Sequence, residues 1–318
     1  MRKLIIIALL GACAGCALTT HPTGPSQLGT ARSSAELLAV IDAPGPVTLE
    51  TVIAADWKGQ RSGLLNLDHP AARAARLTDE LLPIAIYFHA LRHPARGLYL
   101  VDTGVERAMR DRPGDAAVRG MVASVMKLKT MVVREPLGDW LSAQPDTPQG
   151  VFLTHLHPDH VTGLADAPRG TAVYAGPGEA SSRALVNAAL QPNMDRAFAG
   201  KAALSEWPFA PDATGRFDGV VDVFGDGTVW ALWVPGHTPG STAYLVRTPA
   251  GPVLLTGDAC HTRWGWEHGV EPGSFSSDLP RSAKSLARLR RLVAEHPSIE
   301  VRFGHEPVVL AGPPDTRT

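Results

Sequence analysis

The 318-residue chain contains few cysteines and almost no net charge, and each scarcity excludes a class of protein. Its three cysteines are Cys13, Cys16 and Cys260, so a disulfide framework within a folded domain is excluded. Its formal net charge of −1 provides no basic surface for nucleic acid. The apolar run at residues 4–12 has nine residues, which is too short to span a bilayer as a stable helix.

The N-terminus has the features of a bacterial export signal. Basic residues precede the apolar run, and the sequence Leu-Gly-Ala-Cys that ends at Cys13 resembles a lipobox. We therefore predict a lipoprotein-type signal peptide at residues 1–12 and lipidation of Cys13, which would anchor the protein to a membrane in the periplasm, with the outer membrane as the expected one. Cys16 is a weaker second site, and an ordinary signal peptide is the alternative. Residues 13–35 are predicted to be a flexible tether, and residues 36–318 the folded domain.

Four side chains that can bind metal lie within six positions after a short apolar run. Residues 151–154 read Val-Phe-Leu-Thr, which predicts a buried strand, and the following loop carries His155, His157, Asp159 and His160. Imidazole and carboxylate groups at this density match the ligand preferences of zinc and similar divalent ions. Because adjacent side chains on a turn diverge, four ligands on one loop indicate two metal ions with further ligands elsewhere.

Three more candidate ligands each follow an apolar run and stand beside a glycine. His237 lies in Pro-Gly-His-Thr-Pro-Gly, Asp258 in Leu-Leu-Thr-Gly-Asp, and His305 in Arg-Phe-Gly-His. Asp102, in Tyr-Leu-Val-Asp-Thr-Gly, follows another such run. We expect all of these side chains at one edge of a sheet.

The order of these motifs, H-x-H-x-D-H, P-G-H-T-x-G, G-D and G-H, resembles that of the metallo-β-lactamase-fold hydrolases. Within that superfamily, the segments Leu-Asp68-His69, Leu-Val-Asp102-Thr-Gly and Thr-Gly-Asp258-Ala-Cys-His261-Thr are most similar to the N-acyl-homoserine lactone lactonases. The resemblance runs from about residue 64 to residue 308. It implies an α/β fold, namely the four-layer αββα sandwich of that superfamily.

The resemblance also implies a role for each candidate ligand. One metal would be held by His155, His157 and His237, the other by Asp159, His160 and His305, and Asp258 would bridge them. Asp102 would support a metal-binding histidine, with a simple turn-forming aspartate as the alternative. The expected cofactor is two zinc ions per chain, with iron or manganese as alternatives.

Two such ions imply a hydrolase that acts on a small ester or lactone, such as an acyl-homoserine lactone. A metal-bridging hydroxide, available near neutral pH, would attack the carbonyl carbon. Asp159 and His261 are the predicted catalytic residues. His261 stands where the lactonases carry a tyrosine that reaches the substrate carbonyl, so it is either a donor to that carbonyl or a residue without substrate contact. No oligomeric state is indicated.

Other activities share this kind of site. Phosphotriester and β-lactam cleavage are the alternatives within the fold, although a bridging Asp258 disfavours the true β-lactamases. Export disfavours a glutathione thioesterase, and His157 occupies a position where diiron oxidoreductases of the fold typically have glutamate. A metal-binding lipoprotein without catalysis is the alternative from a different class.

Patterning predicts several elements around the site. A hairpin is expected over residues 81–101 and a helix over residues 278–296, whereas a second helix is expected at 179–190 and a surface excursion at 191–219. Methionines at 105–149 are interpreted as core or as a wall for an apolar substrate. Aromatic residues that follow the last aspartate motif are candidates for an acyl-chain pocket: Trp264, Trp266 and Phe275.

Overall fold

Two β-sheets stacked face to face carry the site in the computed structural model, which describes residues 15–307. The predicted signal peptide and Cys13 lie outside the described residues. The strands in chain order are β1 (Cys16–Ala17), β2 (Thr23–Pro25), β3 (Thr30–Arg32), β4 (Thr48–Gln60), β5 (Leu81–His93), β6 (Gly97–Val101), β7 (Val132–Val133), β8 (Gly150–Phe152), β9 (Ala172–Ala175), β10 (Arg183–Ala184), β11 (Leu204–Glu206), β12 (Val220–Asp222), β13 (Val229–Trp233), β14 (Thr242–Thr248), β15 (Gly251–Leu255) and β16 (Glu300–Arg302).

Helices lie between the strands along the chain. They are α1 (Ser34–Leu38), α2 (Arg61–Leu64), α3 (Pro70–Ala74), α4 (Ala108–Asp111), α5 (Gly120–Val125), α6 (Leu137–Ser142), α7 (Pro158–Val161), α8 (Asn187–Phe198), α9 (Arg263–His268) and α10 (Leu279–Glu295), with short 3₁₀ turns at Leu128–Thr130, Thr162–Asp166 and Gly257–Ala259. Within residues 15–307, no helix combines the length and the apolar character needed to cross a lipid bilayer.

Most of the strands belong to two large sheets. One sheet has eight strands in the order β2-β11-β9-β8-β6-β5-β4-β7, and the other has six in the order β16-β15-β14-β13-β12-β3. Phe152 from the first sheet and Tyr244 from the second stack with ring centroids 5.9 Å apart, so the inner core lies between the sheets. The predicted hairpin is confirmed, since β5 pairs antiparallel with β4 and β6.

Each sheet packs helices against its outer face, which confirms the predicted four-layer αββα sandwich. Phe198 of α8 and Trp140 of α6 belong to the core of the eight-stranded sheet. Leu37 of α1 and Leu289 of α10 belong to the core of the six-stranded sheet. Burying one leucine completely contributes roughly 2 kcal/mol, so these helix faces stabilise the sheets substantially.

Helix α10 begins and ends as predicted. The Asp278 side chain accepts a hydrogen bond from the Arg281 backbone N–H at 3.0 Å, and Pro280 occupies the first turn. The leucines that recur along one face, Leu286, Leu289 and Leu292, are buried. The capping side chain supplies the acceptor that an exposed helix N-terminus lacks.

The prediction that residues 13–35 form a flexible tether is wrong for the described part of that range. Strand β2 extends the eight-stranded sheet beside β11, and β3 extends the six-stranded sheet beside β12. Leu18 is buried, and the Thr19 hydroxyl donates a 2.5 Å hydrogen bond to Asp195. Composition suggested a tether because these strands are short and polar, but sheet edges elsewhere in the chain provide their hydrogen-bond partners.

The prediction of a helix at residues 179–190 is also wrong, because the helix in this region is α8, at Asn187–Phe198. Pro192 lies inside that helix, where a proline removes a backbone donor and usually ends the helix. Met194, Ala197 and Phe198 are fully buried against the eight-stranded sheet. That burial outweighs the local cost of the proline, so part of the predicted surface excursion is a packed helix.

Candidate metal centre

Parallel pairing of β6 and β8 brings Asp102 to the histidine-rich loop. Val101 lies opposite Phe152 in this register, so both strands end at the same edge. The Asp102 backbone has a φ of 56°, in the left-handed region, and its N–H donates to the Phe152 carbonyl at 2.9 Å. This turn directs the Asp102 carboxylate to the start of the metal loop, where it accepts hydrogen bonds from the Thr154 backbone N–H at 2.7 Å and the Thr154 hydroxyl at 2.8 Å.

A second parallel pair places Asp258 and His305 together. Leu255 of β15 lies opposite Arg302 of β16, and each candidate ligand follows its strand by three residues. Gly257, with a φ of +49°, forms the turn before Asp258, and a Cβ at Gly257 would lie 2.7 Å from the Cβ of Thr154. The glycine in the Gly-Asp motif therefore allows this loop to pack directly on the metal loop.

All seven metal ligands predicted from the sequence converge with His261 at this edge. They form three overlapping groups in which the ligand atoms lie within 4.8 Å of one another: His155, His157, His237 and Asp258; Asp159, His160 and His305; and Asp258, His261 and His305. Each group contains at least three donors and can hold a metal ion.

Asp258 occupies the centre of the cluster. Its Oδ2 lies 3.5 Å from His155 Nε2, 3.3 Å from His237 Nε2 and 3.3 Å from His305 Nε2. Its Oδ1 lies 3.4 Å from His160 Nε2. One carboxylate thus faces histidines of both predicted ligand sets, which is the position that a bridging ligand requires.

The side chains present fit a bound cation. Of the six buried side-chain atoms without a hydrogen-bond partner among the described residues, four belong to this cluster: His155 Nε2, His160 Nε2, His261 Nε2 and Asp258 Oδ1. Leaving one buried acceptor unpaired costs about 1–3 kcal/mol, so four of them in one cluster demand compensation. Divalent ions compensate nitrogen and oxygen lone pairs directly, and zinc in particular takes this donor set.

The charges in the cluster favour metal binding as well. Burial lowers the pKa of His155 and His237 well below the ordinary histidine value, so both rings are neutral ligands. Burial also lowers the pKa of His160, but the carboxylates of Asp258 and Asp102 outweigh it and raise that pKa well above the usual range. Burial would raise the pKa of Asp258, yet the surrounding imidazoles hold it well below normal. The carboxylates thus favour positive charge in the cluster, and a metal ion can replace the second ring proton that they stabilise on His160.

Comparison with known proteins identifies the family. A model of the Metallo-beta-lactamase superfamily matches residues 90–305. The chain belongs to this superfamily. It is 30% identical over 235 residues to the N-acyl homoserine lactonase AttM of Azorhizobium caulinodans, covering 70% of this chain and 82% of that protein. The AttM lactonase of Agrobacterium fabrum is 29% identical, with the same shares covered.

Solved structures confirm the metallo-beta-lactamase fold. A quorum-quenching N-acyl homoserine lactone lactonase superposes with a TM-score of 0.58 at 22% identity, covering 84% of this chain and 94% of that one. An N-acyl homoserine lactone hydrolase with N-hexanoyl-L-homoserine bound at its catalytic metal centre gives a TM-score of 0.58 at 21% identity, covering 82% and 94%. The chain is therefore a lactonase-like, metal-dependent hydrolase of the metallo-beta-lactamase fold.

A cavity of about 430 Å³ opens onto the cluster of candidate metal ligands. His157, Asp159, Asp258 and His305 line its polar end. The remaining wall is mostly apolar and includes Trp57, Leu64, Leu81, Ile84, Val125, Met126 and Phe275, with Lys58 and Lys127 also present. An apolar group attached to a polar reacting centre fits these surroundings.

Of the three aromatic candidates, Phe275 lines this cavity and the two tryptophans do not. Phe275 lines the cavity, as one of the sequence interpretations proposed. Trp264 instead stacks on His268 at 4.2 Å between ring centroids, and Trp266 packs near Phe303 at 5.8 Å. Trp266 therefore packs α9 against the core and Trp264 stacks within the helix, whereas Met126 from the methionine-containing segment lines the cavity.

His261 does not lie on the cavity wall. Its side chain is 1% exposed, its Nδ1 lies 2.9 Å from the Leu64 carbonyl, and its Nε2 lies 3.0 Å from Asp258 Oδ2. Since a carbonyl only accepts, Nδ1 carries the proton and a neutral ring has none at Nε2. The predicted role as a donor to a substrate carbonyl is not supported by this position, because the one proton is committed to Leu64.

Cys260, two residues after Asp258, is a buried thiol outside the ligand groups. Its Sγ donates to the Thr262 carbonyl at 3.3 Å, and burial raises its pKa to about 12. A thiol with so high a pKa is neither a thiolate ligand nor a nucleophile near neutral pH.

Sequence reasoning missed Glu179, which connects the two loops that carry the first ligand group. One carboxylate oxygen accepts from the Leu156 N–H at 3.0 Å, and the other accepts from the Gly240 N–H at 2.7 Å and from the Thr238 hydroxyl. Burial raises the pKa of this carboxyl to about 7. A glutamate in a turn-rich segment carries no local pattern that indicates such long-range contacts.

Three histidines outside the predicted ligand set also lie outside the cluster. His69 caps α3 by accepting from the Ala71 N–H at 3.2 Å, and His93 pairs with Asp226 at 2.9 Å. His296 pairs with Asp42 at 2.8 Å. These three side chains have local structural partners and do not contribute to the metal groups.

Proposed function

We propose that this protein is a dinuclear zinc hydrolase that opens lactone rings, with N-acyl homoserine lactones as the substrate class to test first. The proposal rests on one observation: two groups of candidate ligands both lie next to Asp258, and a largely apolar cavity opens onto them. The names of the relatives at 29–30% identity support the substrate class.

In this proposal each ligand group holds one ion. His155, His157 and His237 would hold the first, Asp159, His160 and His305 would hold the second, and Asp258, which faces histidines of both groups, would be shared between them. When bound, such ions lower the pKa of a coordinated water to about 7 and polarise a carbonyl oxygen. Iron or manganese would be compatible with the same donors.

The protein's own residues prepare the site for the reaction. Asp102 accepts from His160 Nδ1 at 2.8 Å and so keeps the lone pair of Nε2 directed into the cluster. Asp159, which lines the cavity, is the carboxylate placed to take a proton from the attacking water and to return it to the leaving alcohol oxygen. Ring opening then breaks the bond between the carbonyl carbon and the ring oxygen, giving an alcohol and a carboxylic acid, which releases its proton to solvent near neutral pH.

The cavity supports a substrate with an apolar acyl chain. Met126 and Phe275 lie on its wall together with Trp57. Burying one methylene contributes about 0.8 kcal/mol, so several chain carbons along this wall would lower KM appreciably. A short, polar lactone would gain less from the same wall.

The test is metal analysis of the purified protein combined with substrate comparison. We expect about two zinc ions per chain and fastest turnover on N-acyl homoserine lactones, measured by proton release, against simple lactones, paraoxon and nitrocefin. Asp258→Ala should reduce metal content and lower kcat/KM at least about 100-fold, whereas Asp68→Ala, on an exposed acid outside the cluster, should change neither.

The outcomes separate the competing activities. Turnover of paraoxon alone would identify a phosphotriesterase, and turnover of nitrocefin alone would identify a β-lactamase. Bound metal with no turnover of any of these substrates would support a metal-binding protein without hydrolytic function. Each of these three results would refute the lactonase proposal.

We further propose that the protein is exported and anchored to a membrane by a lipid on Cys13. The support is the sequence of residues 1–13, with its basic start, apolar run and lipobox-like end. Metabolic labelling with a fatty-acid analogue tests this. Label should be lost in Cys13→Ser and retained in Cys16→Ser, and an unlabelled wild type would refute the anchor.

A further inference from the structure

His261 is a buried side chain whose role the lactonase-like chemistry leaves open. It lies three residues after Asp258, is 1% exposed and does not line the cavity. Its Nε2 is one of the buried atoms without a hydrogen-bond partner. A buried imidazole in this situation needs either a proton or a cation at Nε2.

The backbone determines which nitrogen of His261 is free. Nδ1 lies 2.9 Å from the Leu64 carbonyl oxygen, which can only accept, so the ring proton of a neutral imidazole is on Nδ1. The lone pair of Nε2 then faces Asp258 Oδ2 at 3.0 Å. Two acceptors at this distance repel each other unless something positive lies beside both.

His305, one of the proposed ligands, is held in the same way. Its Nδ1 lies 3.0 Å from the Ala85 carbonyl, and its Nε2 lies 3.3 Å from the same Asp258 oxygen. The rings of His261 and His305 are stacked, with centroids 5.4 Å apart and planes inclined by 29°. A backbone carbonyl on the outer nitrogen is a typical partner of a metal-binding histidine, because it fixes the tautomer and increases ligand basicity.

We infer that His261 is a further metal ligand, which binds through Nε2 the ion assigned above to Asp159, His160 and His305. The group Asp258, His261 and His305 shares two members with the donors around that ion, counting the bridging Asp258. This inference rests on the proposed dinuclear site. It gives the second ion one more protein donor than the first, and it removes a coordination position that would otherwise be open to water or substrate.

A direct measurement of the bond tests this inference without an activity assay. The full chain is labelled with ¹⁵N-histidine and loaded with ¹¹³Cd, and one-bond ¹¹³Cd–¹⁵N couplings are recorded. We expect a coupling from His261 Nε2, assigned by its disappearance in His261→Gln. His268→Gln is the matched control, since His268 is exposed and outside the cluster, and it should leave every cadmium-coupled signal in place.

The result distinguishes failure of this inference from failure of the proposed function. Coupling to the other five proposed histidine ligands with none to His261, and a protonated Nε2 on that ring, would overturn the inference and leave the dinuclear site intact. Coupling to His261 in a protein that opens no lactone would overturn the substrate proposal alone. The couplings are measured in the wild type, and the variant serves only to assign the His261 signal. If His261→Gln does not fold, His261→Tyr serves for the assignment.

Metal affinity provides a second readout. In His261→Gln, the affinity for one cadmium or zinc ion per chain, measured by competition with a chelator, should fall by at least about tenfold. The affinity for the other ion should stay unchanged. His268→Gln should match the wild type. Unchanged affinity for both ions in His261→Gln would overturn the inference.

Discussion

The Asp102 carboxylate accepts a hydrogen bond from His160 Nδ1 at 2.8 Å while the same carboxylate accepts two from Thr154. This contact joins the turn after β6 to the loop after β8, and both side chains are buried. The bond determines the tautomer of His160, since a carboxylate only accepts. His160 is thus held with its Nε2 directed toward Asp258 in the cluster.

Replacing Asp102 by asparagine should therefore weaken metal binding. The asparagine side chain carries an NH₂ group in place of one carboxylate oxygen. This group would face at least one of the N–H or O–H donors from which the Asp102 carboxylate accepts, and His160 would lose its charged partner. We expect a 10- to 100-fold loss of affinity for one ion, measured by competition with a zinc chelator.

Asp226→Asn is the matched control for Asp102→Asn. His93 and Asp226 form the same kind of pair at 2.9 Å, but away from the ligand cluster. That change should leave zinc affinity unaltered. Equal losses in both variants would indicate a general effect on stability rather than positioning of His160.

Glu179→Ala should loosen the two loops that carry His155, His157 and His237. The change removes the shared acceptor of the Leu156 and Gly240 amides, so both amides should exchange with deuterium faster. Zinc affinity should fall about tenfold or more, as for other partners that hold ligands in place. Glu206→Ala is the control, because Glu206 accepts from the neighbouring Gly178 N–H at 3.0 Å without joining these loops. Unchanged exchange at Leu156 would contradict this account.

The ligand loop could be predicted because its information is local. A buried strand followed at once by polar, metal-binding side chains needs no knowledge of the rest of the chain, and parallel strand ends then place Asp102 near His160. The same reasoning places Asp258 and His305, each at the end of its own strand. The family resemblance supplied the order of ligands and the fold.

The parts that could not be predicted depend on contacts between distant segments. Residues 23–32 become strands only because β11 and β12 leave edges open. Helix α8 continues through Pro192 because its apolar face is buried, and Glu179 acts through backbone amides that have no sequence signature. The burial of His261 likewise depends on the Leu64 carbonyl, which is distant in sequence.

Gly304→Ala should displace Asp258 without changing any ligand. A Cβ at Gly304 would lie 2.4 Å from Asp258 Oδ1, so the carboxylate or the backbone must shift. Overpacking of this kind costs about 1–3 kcal/mol, and the shift should lower bound metal below two ions per chain. Metal content by mass spectrometry checks this. Gly114→Ala is the control, because no atom lies within 4 Å of the added methyl group, and it should retain wild-type metal content. Full metal content in Gly304→Ala would contradict the prediction and show that the site adapts to the added methyl group.

Glu106 should make folding stability fall as the pH rises, independently of the metal cluster. The side chain accepts from the Ala117 N–H at 2.6 Å, and burial raises its pKa from 4.5 to about 7. Because the folded-state pKa is the higher one, the stabilising contribution is complete below about pH 4.5 and is lost as the pH rises through 7.

Between pH 4.5 and 8 this group should remove at most about 3 kcal/mol from the free energy of unfolding. Glu106→Gln keeps an acceptor for Ala117 but cannot ionise, so its stability relative to the wild type should rise with pH, as measured by urea unfolding at pH 5 and pH 8. Glu267→Gln, on an exposed carboxylate of α9, should follow the wild-type pH profile. A constant difference between Glu106→Gln and the wild type at the two pH values would mean that the Glu106 carboxyl does not change its ionisation on folding in this range.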